Sequence, residues 1–133
     1  MNKQVADSVL DSFKKSYTTS PNLYYSPGRI NLIGEHIDYN DGFVLPAAIN
    51  KGIYYAVAAN TSGKINITAL DFNENISIDF SEVKPSDSWR NYVLSVINEF
   101  LLLQKNIGGI DCVFGGDIPI GSGMSSSAAV EGG

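Results

Sequence analysis

The chain is short of several residue types, and each shortage closes off a class of function. It has one cysteine, Cys112, so no disulfide can form within it and nothing points to an oxidising compartment. Its one histidine, His36, removes the two-histidine zinc helix motif and argues against a transition-metal centre. Positive charge is scarce, since nine Lys and Arg against 14 Asp and Glu leave a net charge of −5. Nucleic-acid and anionic-membrane surfaces call for clustered positive charge, so neither partner is expected. Long apolar runs are missing too. Runs such as 53–59 and 100–103 fall far short of the roughly 20 residues that span a bilayer. The N-terminus lacks the apolar core of a secretory signal, which leaves the cytoplasm as the default location. None of this excludes a phosphate ligand, because backbone N–H groups hold phosphate without net positive charge.

What is present suits a folded core: 44% of the 133 residues are hydrophobic. Val5, Val9, Phe13 and Tyr17 recur every four positions with Leu10 beside them, which predicts an amphipathic helix over 4–17. Two short strands, 23–26 and 29–33, read as separated by Pro27-Gly28, and 53–59 reads as a buried strand. The segments 64–70 and 75–80 alternate, with Ile65, Ile67 and Ala69 on one face and Ile76, Ile78 and Phe80 matching them. An antiparallel meander is the expected arrangement. A long helix is predicted over 86–105, capped by Ser86 or Asp87. Its apolar face would carry Trp89, Val93, Val96, Ile97, Phe100, Leu101 and Leu103. A strand at 110–114, a turn beginning at Gly115-Gly116 and a helix start at 125–130 complete an α+β order. That last helix stops before it builds one apolar stripe, as expected of a fragment.

Two polar stretches carry the chemistry. Residues 115–129 read GGDIPIGSGMSSSAA, with Gly121 and Gly123 free to let a ligand approach the backbone. Ser125, Ser126 and Ser127 follow at a helix start, where unpaired N–H groups favour an anion and a hydroxyl can ligate Mg²⁺. No Lys follows these glycines, so this is not a Walker loop, and Ser126 stands where a dinucleotide fingerprint needs its third glycine. The same composition also suits a serine-capped helix that binds nothing. Residues 26–49 set Arg29, Glu35, His36 and Asp38 around an apolar strand. Carboxylates beside an imidazole accept hydrogen bonds from sugar hydroxyls, ligate a metal or perform acid–base work. Taken singly each residue fits an ordinary surface role; together they favour a polyol site.

Residues 27–49, PGRINLIGEHIDYNDGFVLPAAI, resemble the signature of the galactokinase branch of the GHMP small-molecule kinases. Residues 119–129, PIGSGMSSSAA, resemble the family's second motif, with Met124 where Leu is usual, and WRNYV at 89–93 is similar to the segment between the motifs. The resemblance implies the GHMP-kinase N-terminal fold, a mixed or antiparallel sheet with packed helices, like the second domain of ribosomal protein S5. It implies that 1–133 is the N-terminal part of that domain, with a sugar-recognition loop at 27–49, a phosphate loop at 119–129 and the C-terminal domain absent.

The implied activity is ATP-dependent phosphorylation of the anomeric hydroxyl of α-D-galactose, the first step of the Leloir pathway. Glu35, His36 and Asp38 would hydrogen-bond the sugar, and Arg29 would stabilise charge on the transferring group. Gly121, Ser122, Gly123, Met124, Ser125, Ser126 and Ser127 would wrap the phosphates of ATP. Ser127 would contact Mg²⁺, and Trp89 would lie near the adenine. The family's catalytic Asp base, Mg²⁺-binding Glu and third glycine-rich motif lie downstream of the second motif, so none is assigned here and the chain alone is expected to be inactive. A galactose- and ATP-binding sensor, and a kinase for N-acetylgalactosamine, arabinose or galacturonate, are the alternative readings.

Overall fold

In the computed structural model, described for residues 1–34, 40–105, 107–119 and 126–133, the chain runs through eight main elements. They are α1 (Lys3–Ser16), β1 (Asn22–Ile33), β2 (Leu45–Ala59), β3 (Ile65–Ala69), β4 (Glu74–Ile78), α2 (Arg90–Leu102), β5 (Ile110–Gly116) and α3 (Ser126–Gly132). Five strands make one mixed sheet in the order β1-β2-β5-β3-β4. Neighbours are antiparallel except β3 and β5, which run parallel. The sheet's centre is covered on both faces, which explains why residues 53–59 of β2 read as a near-continuous apolar run. On one face, Val9 and Phe13 of α1 are wholly buried over Tyr54, Ala56, Ala58 and Val113. On the other, α2 and α3 cover Ile53, Tyr55, Cys112 and Phe114, together with Ile65, Ile67 and Ala69 of β3. Burying a side chain the size of Val or Phe stabilises by about 1.5–3 kcal/mol, so each layer depends on a few such residues.

The helix expected over 4–17 and the buried alternation of β3 are present as read. Several details differ. The two short strands are one, β1, which pairs with β2 along its length and shifts register between Pro27 and Arg29. Proline is tolerated there because β1 is an edge strand, where a missing N–H breaks no ladder on the outer side. Strand β2 begins at Leu45, so both flanks of the stretch 27–49 form a hairpin rather than a loop. At its far end Leu32, Ile33, Phe43 and Leu45 are exposed, Phe43 by 96%.

The expected meander is interrupted, because β5 lies between β2 and β3. Strand β5 is buried on both faces, its one carboxylate, Asp111, held by the Asn60 and Asn66 amides, and so takes an interior place, while alternating β4 takes the edge. For the same reason Gly115 and Gly116 end β5 instead of opening a turn.

Helix α2 starts at Arg90, and neither Ser86 nor Asp87 caps it; Trp89 occupies the cap position. The serines close a turn instead: Asn91 N–H donates to the Ser88 carbonyl at 3.0 Å, and Ser86 N–H donates to Asn91 Oδ1 at 3.1 Å. The helix buries Leu94 and Ile97, with Trp89, Val93 and Leu101 packed beside them. Phe100 and Leu103 are largely exposed, so the seven-residue apolar face is narrower than its composition suggests. Among the described residues no helix is long and apolar enough to cross a membrane.

Candidate functional site

The two helices over the β2–β5 surface, α2 and α3, come before and after β5 in the chain and approach each other over the sheet. Between them and the Leu70–Phe72 turn lies a cleft of about 320 Å³. Trp89, Tyr92, Phe72 and Phe114 give it aromatic walls, and Asp71, Ser126 and Ser127 supply polar groups. Ser126 and Ser127, the first two residues of α3, are both half-buried.

The ring of Trp89 is held from three sides. It stacks parallel on Phe72 at 5.6 Å with 5° between planes, and meets Phe114 edge-on at 5.7 Å and 66°. Its Nε1–H donates to Glu74 Oε2 at 3.1 Å, and the Arg90 guanidinium donates to the same oxygen at 3.1 Å. These bonds, Trp89's first and Arg90's second, hold the Glu74 carboxyl below the usual glutamate range. The indole therefore sits as a fixed plate at the mouth of the cleft.

The cleft's other side depends on Tyr55. Its hydroxyl lies 3.1 Å from the Ala129 carbonyl and 2.9 Å from that of Val130, donating to this pair and tying α3 to the sheet. Burial pushes the Tyr55 phenol well above its ordinary range, so it stays a neutral donor. Asp71 meets the Gly116 N–H through Oδ2 at 3.0 Å. Desolvation raises its carboxyl, and the bond from Gly116 opposes that rise.

Of the residues singled out in the sequence, Trp89, Ser126 and Ser127 come together in this cleft. Arg29 is exposed on β1, opposite Ala48, and does not belong to the cleft's described lining. Glu35, His36, Asp38, Gly121, Ser122, Gly123, Met124 and Ser125 lie outside the described residues. Asp71, Phe72 and Tyr92 were not anticipated as lining residues. The only hint in the sequence was Phe72, an aromatic set among the polar residues Asp71, Asn73 and Glu74.

Comparison with known proteins places this geometry. Residues 11–59 match the galactokinase galactose-binding signature, and residues 91–133 match the GHMP kinases N terminal domain. The galactokinase of Clostridium acetobutylicum is 44% identical over 124 residues, covering 90% of this chain and 31% of that protein. Over most of its length the chain is similar to galactokinases. The Clostridium tetani galactokinase is 42% identical over 110 residues, covering 81% of the chain and 28% of its own length. Among solved structures, Lactococcus lactis galactokinase complexed with galactose superposes with a TM-score of 0.86 at 35% identity, over 94% of this chain and 34% of that one. The mevalonate kinase of Methanococcus jannaschii, at a TM-score of 0.71 and 21% identity over 86% of this chain and 38% of its own, shares the fold. The mixed sheet with its three helices is thus the N-terminal domain fold of the GHMP kinases. The chain spans about a third of the length of the galactokinases it matches.

Proposed function

We propose that this chain forms the sugar-recognition and phosphate-binding part of an ATP-dependent galactokinase, which transfers the γ-phosphoryl group to the anomeric hydroxyl of α-D-galactose. The observation that carries the reading is the meeting of Trp89, Ser126 and Ser127 in one cleft, in a chain with the galactose-binding signature. The paired rings of Trp89 and Phe72 offer a flat apolar surface of the kind a purine stacks on. Ser126 and Ser127 offer hydroxyls to a polyphosphate, with the backbone of 121–125 as the rest of its cradle.

Phosphoryl transfer needs positioning and charge neutralisation more than covalent chemistry, and the remaining assignments follow that division. Glu35, His36 and Asp38 orient the sugar by accepting and donating hydrogen bonds at its hydroxyls. Arg29 is assigned to stabilising the charge that builds on the transferring group. Ser127 is this chain's contact for Mg²⁺, which suits a hard cation that keeps phosphate oxygens and waters as its other ligands. ATP and Mg²⁺, when bound, supply the transferable group and screen its charge. We place the catalytic base and the C-terminal domain in the two thirds of the galactokinases that this chain does not span. The exposed Leu32, Ile33, Phe43 and Leu45 suit burial by that remainder. The cytoplasm is the proposed compartment.

Calorimetry with galactose tests the sugar half. The chain should bind galactose and lose most of that affinity in Asp38→Asn, while releasing no ADP in the presence of ATP and galactose. Equal galactose binding by Asp38→Asn, or robust galactose-dependent ADP release by this chain alone, would contradict the assignment.

A further inference from the structure

A segment that receives a triphosphate should be poor in negative charge, yet two carboxylates flank the entry to 119–129. Asp71 Oδ2 accepts the Gly116 N–H at 3.0 Å. Asp117 Oδ1 accepts the Gly52 N–H at 2.9 Å, and Asp117 N–H donates back to the Gly52 carbonyl at 3.2 Å. Asp117 Oδ2 also accepts from Asn2 Nδ2 at 3.2 Å, and Lys51 Nζ donates to the Asp117 carbonyl at 3.3 Å. Asn2 holds the cap position of α1 but makes no side-chain cap bond there; its amide reaches Asp117 instead. The backbones approach closely at this point, since a Cβ on Gly116 would stand 2.7 Å from the Gly52 carbonyl oxygen. Three separate elements, the Leu70–Phe72 turn, β2 and the start of α1, therefore grip two consecutive residues.

If these carboxylates acted through charge they would oppose an anion, because like charges disfavour association. Their lone pairs are directed at backbone N–H groups and at an amide, which is the geometry of a latch. We propose that Asp71 and Asp117 are positioning residues that fix 116–117 and so anchor the entry to the phosphate loop, which begins two residues after Asp117. This rests on the reading of 119–129 as a phosphate loop. A preorganised loop spends less of its binding free energy on ordering when the anion arrives. Neither residue touches the reacting atoms in this role; both act through the loop they hold. The sign of their effect is the opposite of a charge effect, and that makes the latch separable by measurement.

The test compares ATP with Mg²⁺ against adenosine, binding each to the full 133-residue chain and to Asp71→Ala, Asp71→Asn, Asp117→Ala, Asp117→Asn and Asn2→Ala, with near-ultraviolet circular dichroism confirming folding. The alanine variants at 71 and 117 should weaken ATP about ten-fold, the size of one or two lost hydrogen bonds, and adenosine by less than about two-fold. The asparagine variants retain an acceptor oxygen and should stay within about three-fold of the unaltered chain for ATP. Asn2→Ala removes one arm only and should cost ATP affinity about three-fold, which keeps the proposal testable if Asp117→Ala does not fold. Tighter ATP binding by the alanine variants would show a charge effect and overturn the latch. Equal loss of both ligands would reduce it to general stability, and asparagine variants as weak as alanine ones would also overturn it. An unaltered chain that binds adenosine as tightly as ATP would instead overturn the phosphate-loop reading itself.

Discussion

The two faces of the sheet are built from the same strands and do different work. On the α1 face, β2 and β5 present Tyr54, Ala56, Ala58 and Val113, and one amphipathic helix seals them with Val9 and Phe13. The small alanines let the helix settle close, so Val9 and Phe13 are wholly buried against the sheet. On the opposite face the alternate residues, Ile53, Tyr55, Cys112 and Phe114, lie under two helices, α2 and α3, that are separated in the chain by β5. These two helices and the Leu70–Phe72 turn leave a cleft, and the aromatic and serine residues of the proposed nucleotide site gather there. Cys112 takes no part in chemistry on that face, since burial pushes its thiol up to about 12 and keeps it protonated. The comparison teaches a division of labour: the face closed by one continuous element supplies stability, and the face closed by two supplies a site.

Three measurements could break that division, beginning with the largest effect. Phe13→Ala removes the wholly buried centre of the α1 layer and should cost about 3–5 kcal/mol in urea denaturation. A cost below about 1 kcal/mol would show that the α1 face is not the stabilising one. On the cleft face, Tyr55→Phe deletes only the hydroxyl that holds the Ala129 and Val130 carbonyls. It should cost about 1 kcal/mol and speed amide exchange in α3 while leaving α1 unchanged. Faster exchange throughout both layers would mean that the faces are not separable.

The smallest effect is a pH dependence at Trp89. A carboxyl whose folded pKa is depressed contributes stability above its unfolded pKa and loses it as pH falls through the folded value. Glu74 is such a group, so Trp89 emission should be steady at neutral pH and shift only in acid, below the ordinary glutamate range. Glu74→Gln keeps an acceptor for the indole and should flatten that acid response. An unchanged response would assign it to another group.

The parts of this molecule that were legible in the sequence are those set by local period. The four-residue stripe of α1 and the alternation of β3 each name their buried face directly. The order of strands was not legible, because alternation says which side of a strand is apolar and not which strand lies beside it. Only the two-sided burial of β5 accounts for its place between β2 and β3. In α2, a run rich in Phe and Leu near the C-terminal end looked like core, yet helix direction turns Phe100, Leu102 and Leu103 outward and brings Leu94 in. In the site, Trp89, Ser126 and Ser127 were visible because they stand in contiguous motifs. Asp71 was not, since its partner Gly116 is 45 residues away in sequence and the two meet only through the β3–β5 pairing.

The most direct test of the account follows backbone amide shifts in the nuclear magnetic resonance spectrum as ATP and Mg²⁺ are added to the chain. The expected result is saturable change confined to the cleft face, at Phe72, Trp89, Ser126 and Ser127, with Val9 and Phe13 unmoved. Shifts centred on α1, or no saturable change at all, would contradict the assignment of nucleotide binding to the face that two helices leave open.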